Sequence, residues 1–177
     1  NLKICKKAVQ RMEEGVNLIK NDENARFAFL LSNISMDRQS KWKNNILTWR
    51  PFQIGFFLMN ISSVANPAHP ERNFLDLLWF PTGGGKTEAY LLIVSFLLFI
   101  RRFRSTNNFP DNSLAVIMRY TLRTLTIQQF ERASSMIISS EITRKNSLDK
   151  HPSLKGAQFS IGLWVGQDAT PNKKEEA

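Results

Sequence analysis

The sequence predicts an α/β fold, a parallel sheet flanked by helices with a helical extension in front of it. Three observations carry that expectation. The glycine triplet Gly83, Gly84 and Gly85 stands between an apolar run and a helix-forming segment. From Phe74 onward, short apolar segments alternate with helical ones, the order of parallel βαβ units with right-handed crossovers. The chain before that point carries apolar residues at helical spacing instead.

Residues 2–20 place Leu2, Cys5, Val9, Met12, Val16 and Ile19 on one face of a helix. Asn21, Asp22, Glu23 and Asn24 interrupt that face and supply cap residues for a second helix over 25–43. Trp49, Arg50 and Pro51 mark a boundary, and 52–60 reads as another apolar helix. A loop follows over 62–72, where Pro67 and Pro70 forbid continuation. The alternating part then predicts strands at 74–80, 114–120 and 158–165 and helices at 86–103 and 122–140. The polar connections 105–113 and 144–156, rich in Asn, Ser and Pro, suit surface linkers. Residues 1–48 are thus expected to form the helical extension and 49–177 the first part of a nucleotide-type lobe.

Composition narrows the class. A chain of 177 residues suffices for one domain with a core, or a domain plus an extension. It begins at Asn1, as a piece of a longer protein does. A 42% hydrophobic and 22% charged content is that of a globular chain and argues against disorder. The formal charge of +9 favours an anionic partner, most often nucleic acid, unless it is balanced elsewhere in a larger protein. Cys5 is the single cysteine, which excludes a disulfide framework and a thiolate metal site. His69 and His151 lack ligand-type companions, so no zinc centre is expected. Residues 1–7 lead into an amphipathic segment and not the apolar core of a signal peptide. The most apolar stretch, 89–100, falls short of the ~20 residues of a spanning helix and ends in Arg101 and Arg102. No membrane partner is expected, and the location is expected to be cytoplasmic.

The chemistry concentrates in Trp-Phe-Pro-Thr-Gly-Gly-Gly-Lys-Thr-Glu-Ala-Tyr, residues 79–90. Consecutive glycines let backbone N–H groups turn inward and approach a phosphate with no Cβ in the way. The helix that follows adds its unsatisfied N–H groups and dipole. Lys86 supplies a point charge near the β/γ-phosphates, and the Thr87 hydroxyl can ligate Mg²⁺. The expected nucleotide site comprises Thr82, Gly83, Gly84, Gly85, Lys86, Thr87 and Glu88, with Lys86 and Thr87 catalytic and ATP and Mg²⁺ as cofactors. The plainer alternative is a glycine-rich turn that precedes a Lys-Thr pair.

Pro81-Thr82-Gly83-Gly84-Gly85-Lys86-Thr87 resembles motif I of superfamily 2 helicases and translocases. Phe80 stands where the longer phosphate-loop pattern has its first glycine. Downstream, Arg123, Leu125 and Gln128 match the text of motif Ia, which in that family holds the nucleic-acid backbone. Arginines at a helix start are misplaced for the dipole unless an anion is present, which makes Arg119 and Arg123 phosphate contacts or, alternatively, solvated side chains. Upstream, Trp49-Arg50-Pro51-Phe52-Gln53 resembles the Q-motif, whose glutamine amide reads the adenine edge; a surface Gln on an amphipathic helix is the alternative. Gly162 and Gly166 resemble the motif Ib loop, although a simple strand-to-turn transition explains them almost as well. Asp22-Glu23-Asn24-Ala25 imitates an Asp-Glu box but precedes the loop and follows no apolar strand, so it reads as a cap. The hydrolytic carboxylates are therefore expected outside these residues.

Together these segments, in this order, resemble the helicase-like proteins of bacterial DISARM anti-phage systems over about residues 45–172. The resemblance implies the first part of a RecA-like P-loop NTPase lobe in an ATP-dependent enzyme of two such lobes. It implies Arg119, Arg123, Gln128 and Gly166 as nucleic-acid contacts and Gln53 at the nucleotide. The implied partners are DNA or RNA, the second lobe of the same chain and other defence-system proteins. The alternative function is a nucleotide-binding regulatory or scaffold protein without translocation.

Overall fold

The computed structural model describes residues 2–81, 83–105, 113–120 and 123–164, apart from the side chains of 123–126. Its regular structure consists of α1 (Leu2–Asn21), α2 (Glu23–Lys41), α3 (Pro51–Ala65), α4 (Lys86–Phe103) and α5 (Arg123–Asn146), with short 3-10 turns at Pro70–Asn73 and Pro152–Leu154. Local chemistry sets several of these boundaries. Asp22 caps α2, its carboxylate accepting the Ala25 N–H at 2.9 Å. Pro51 opens α3, where its fixed φ suits the first turn and its missing N–H costs nothing. Gly85, at φ 88°, delivers the chain into α4 from the left-handed region.

The helices pack on one another around one core. α1 lies along α3, α3 packs on α4, and α2 sits against both α4 and α5. Phe57, Ile61, Leu91, Leu92, Phe96, Phe99, Ile100 and Met136 fill the centre, and Ala25, Ala28 and Leu31 of α2 enter the same cluster. Small polar residues let α2, α4 and α5 approach. The Ser95 and Ser140 hydroxyls meet at 3.0 Å, and the Ser139 hydroxyl donates to the Ser35 carbonyl at 2.7 Å. These three buried hydroxyls thus find partners in the interior. At the α1–α3 crossing Gly15 lies so close to α3 that an added Cβ would stand 2.1 Å from the Leu58 carbonyl oxygen.

The expected α/β architecture, a partial RecA-like lobe with a parallel sheet, is corrected here. Among the described residues there is no strand and no sheet; the regular structure is all helical. Residues 74–80 and 114–120, and the described part of 158–165, are irregular. The alternation over 74–80 has another cause. Asp76 and Phe80 engage α1 and α3, whereas Leu75, Leu77 and Trp79 are 96%, 80% and 87% exposed. Helices thus cover one side of this segment, and its backbone groups join no ladder of the kind a sheet requires.

The segment is held by charge. Arg11, buried on α1, forms two parallel hydrogen bonds with the Asp76 carboxylate at 2.6 Å each. Its Nε also meets Glu71 at 3.0 Å, and Lys7 meets the other Glu71 oxygen at 2.9 Å. The Arg11 hydrogen bonds hold the Asp76 carboxyl below the ordinary carboxylate range, against the opposing effect of burial. This bidentate geometry fixes direction as well as distance, so α1 anchors the chain just before the glycine loop.

Candidate functional site

The glycine loop stands at the start of α4. Gly83 and Gly85 have φ of 77° and 88°, a backbone that side-chain-bearing residues rarely adopt. Gly83 opens on empty space, with no atom within 4 Å of where a Cβ would lie. Gly84 donates its N–H to the Pro81 carbonyl at 3.1 Å, closing a tight turn. The Lys86 ammonium folds back onto the same turn, donating to the carbonyls of Phe80 at 2.5 Å and Pro81 at 2.9 Å. Lys86 and Thr87 both lie in the first turn of α4, partly exposed. Thr82 lies outside the described residues.

The loop is gripped from α3. The Arg50 guanidinium donates to the Gly84 carbonyl at 2.9 Å, and the Gln53 amide nitrogen donates to the Gly85 carbonyl at 2.8 Å. The Gln53 amide oxygen accepts the Arg50 backbone N–H at 2.8 Å. Phe52 stacks on Phe80 with ring centroids 3.9 Å apart and planes 17° from parallel. Gln53 is 4% exposed, so this amide faces the loop and α3 and not the solvent. Arg50, the residue before α3, and Phe52 and Gln53 in its first turn thereby hold three positions about thirty residues later.

Glu88, in the first turn of α4, is ion-paired with Arg132 of α5. Arg132 is itself tied to α2, because the Gln39 amide donates to its carbonyl at 2.7 Å. Burial pushes the Tyr120 hydroxyl above its ordinary pKa; Arg132 opposes and Tyr90 reinforces the shift. Arg119 and Gln128 are exposed. Arg123 begins α5, and its side chain, like Gly166, lies outside what is described. Among the described residues no group of His, Cys, Asp and Glu could hold a metal ion. Nor is any helix among them long and apolar enough to cross a membrane.

Sequence reasoning singled out the glycine loop, Lys86, Thr87, Glu88 and Gln53, and the structure brings Gln53 onto that loop and places Lys86, Thr87 and Glu88 in the first turn of α4. It missed Arg50 as a loop contact and Arg132 as the partner of Glu88. Capping chemistry foretells only the local half of the first, the Gln53 amide oxygen accepting the Arg50 N–H; the Arg50 guanidinium reaches Gly84 across 34 residues. Nothing local could announce the second, since Glu88 and Arg132 are 44 residues apart.

No protein-family model matches the chain. Compared with curated proteins, it is 40% identical over 196 aligned residues to DISARM protein DrmA of Bacillus paralicheniformis (strain ATCC 9945a / NCIMB 11709 / CD-2). The alignment takes in 99% of this chain and 17% of that protein, so the chain matches a part of DrmA and spans about a sixth of its length.

Proposed function

We propose that this chain supplies the ATP phosphate-binding loop and part of the nucleic-acid contact surface of a DrmA-like helicase or translocase in a bacterial anti-phage defence system. The observation that carries the reading is the loop itself, with Gly83 and Gly85 in the left-handed region directly before Lys86, Thr87 and α4. The similarity to a part of DISARM protein DrmA supports the defence setting.

The residues suit the ligand. A polyphosphate carries several negative charges, and the start of α4 offers N–H groups, a favourable dipole and a lysine on one short segment. The Lys86 ammonium now satisfies two loop carbonyls; on binding it exchanges them for phosphate oxygens, a charge-assisted and stronger pairing. Thr87 would hold Mg²⁺, which supplies charge neutralisation at the transferring phosphoryl group. Glu88 is turned to Arg132, and so serves the site by fixing the first turn of α4. Arg119, Arg123, Gln128 and Gly166 form the proposed nucleic-acid surface, with phosphate contacts dominating affinity. DNA or RNA, the rest of the same chain and other defence proteins are the proposed partners.

Calorimetric titration with Mg·ATP tests the reading. Wild type is expected to bind with saturable heat, and Lys86→Ala to weaken binding by at least about tenfold, one charge-assisted hydrogen bond's worth. Equal affinity in the two proteins would refute it.

A further inference from the structure

We propose that Arg50 and Gln53 are positioning residues that set the shape of the glycine loop, with the Gln53 amide acting on the loop backbone and not on a nucleotide base. The proposal rests on the reading of the loop as a phosphate site, but its first test does not need a ligand.

Peptide geometry makes the argument. No cis peptide bond occurs among the described residues. In a planar trans peptide the carbonyl and the following N–H point in opposite directions. Arg50 draws the Gly84 carbonyl toward α3, at 2.9 Å, and Gln53 draws the Gly85 carbonyl the same way, at 2.8 Å. The N–H groups of Gly85 and Lys86 must then face away from α3. Those are the donors an anion at the start of α4 would meet. A glycine triplet has no side chains to select one conformation and loses much freedom on ordering. External hydrogen bonds to two successive carbonyls remove that freedom before a ligand arrives, which is pre-organisation.

Gln53 is built into this role. It is 4% exposed, and its amide oxygen already accepts the Arg50 N–H at 2.8 Å. To reach a base it would abandon two hydrogen bonds and leave the Arg50 N–H and the Gly85 carbonyl to find others. Contact with the loop is tight: a Cβ on Gly85 would stand 2.8 Å from the Gln53 amide nitrogen. The helix that carries Gln53 and is capped by Arg50 is itself fixed, since Phe57 and Ile61 of α3 are fully buried.

The experiment compares wild type with Gln53→Met, Arg50→Ala and Arg50→Lys. Gln53→Met keeps length and volume but lacks the amide, and the Arg50 variants change a side chain outside the core. Backbone ¹⁵N order parameters are measured first, without ligand. Gly83, Gly84 and Gly85 are expected to fall from the rigid range of about 0.85 toward 0.6 in Gln53→Met and Arg50→Ala. Arg50→Lys is expected to recover part of the loss, and α5 values to stay unchanged. Affinities for Mg·ATP, Mg·GTP and inorganic tripolyphosphate are measured next. All three are expected to weaken by a common factor, about tenfold, in Gln53→Met. Unchanged loop order parameters would overturn the proposal. So would a Gln53→Met protein that loses ATP but keeps wild-type affinity for GTP and tripolyphosphate, because that pattern belongs to a base contact. If wild type binds none of the three probes, the phosphate reading fails while the order parameters still decide the positioning role.

Discussion

Replacing Asp76 by Asn removes the charge that Arg11 of α1 holds, with almost no change in volume. Two hydrogen bonds of 2.6 Å join the pair, with the Arg11 side chain 10% and the Asp76 side chain 24% exposed. Hydrogen bonds to charged groups contribute about 1.5–3 kcal/mol, and orphaning a buried charge costs about 3–5 kcal/mol. Arg11 is not orphaned, because Glu71 still meets its Nε at 3.0 Å, and Asn retains one acceptor. The expected loss is therefore about 2 kcal/mol, near the lower end of these ranges. Urea unfolding followed by circular dichroism reads it as a midpoint lowered by about 1 M, for a slope of about 2 kcal/mol per M.

The pH dependence gives an independent check. Arg11 depresses the folded-state pKa of Asp76 below its ordinary 3.8. A depressed carboxyl contributes stability that is fully present above the unfolded pKa and is lost as pH falls through the folded pKa. The gap between wild type and Asp76→Asn should thus be complete at neutral pH and close on acidification below 3.8. Equal midpoints at pH 7, or a gap that persists undiminished after full acid titration, would refute the clamp.

Gly15→Ala should cost about 1–3 kcal/mol or more by overpacking, since its Cβ would meet Leu58 backbone at 2.1 Å. Gly162→Ala, with nothing within 4 Å, should leave stability unchanged and serves as the control; matching melting curves for the two would contradict the close α1–α3 crossing. If nucleic acid binds, Arg119→Ala and Arg123→Ala should each reduce the slope of log affinity against log salt by about 0.7–0.9. Binding unchanged by both substitutions at low salt would remove these residues from the interface.

Local features of the fold were legible and its tertiary architecture was not. The helix expected over 86–103 is α4, Lys86–Phe103, because a left-handed glycine starts it and a continuous apolar face sustains it. Asp22, read as a cap, does cap α2. The sheet failed because alternation reports only that one side of a segment differs from the other. Over 74–80 the difference arises from docking on α1 and α3, with Leu75, Leu77 and Trp79 outward. Over 158–164, Phe159 owes its burial to side chains of α4 and α5: Phe99 at 5.5 Å and the guanidinium groups of Arg102 and Arg144 over its ring. A periodicity of two cannot distinguish helices from a neighbouring strand as the covering layer. At the site, the glycine loop was readable because its conformational demand is local. Arg50 and Arg132 act through tertiary approach, as does the Gln53 amide in its hydrogen bond to the Gly85 carbonyl.

Backbone amide shifts during a Mg·ATP titration test the central claim most directly. The account predicts that Gly83, Gly84, Gly85, Lys86 and Thr87 move most and together, with saturation, and that Lys86→Ala suppresses the movement. Saturable shifts centred on another part of the chain, with this loop unmoved, would contradict it.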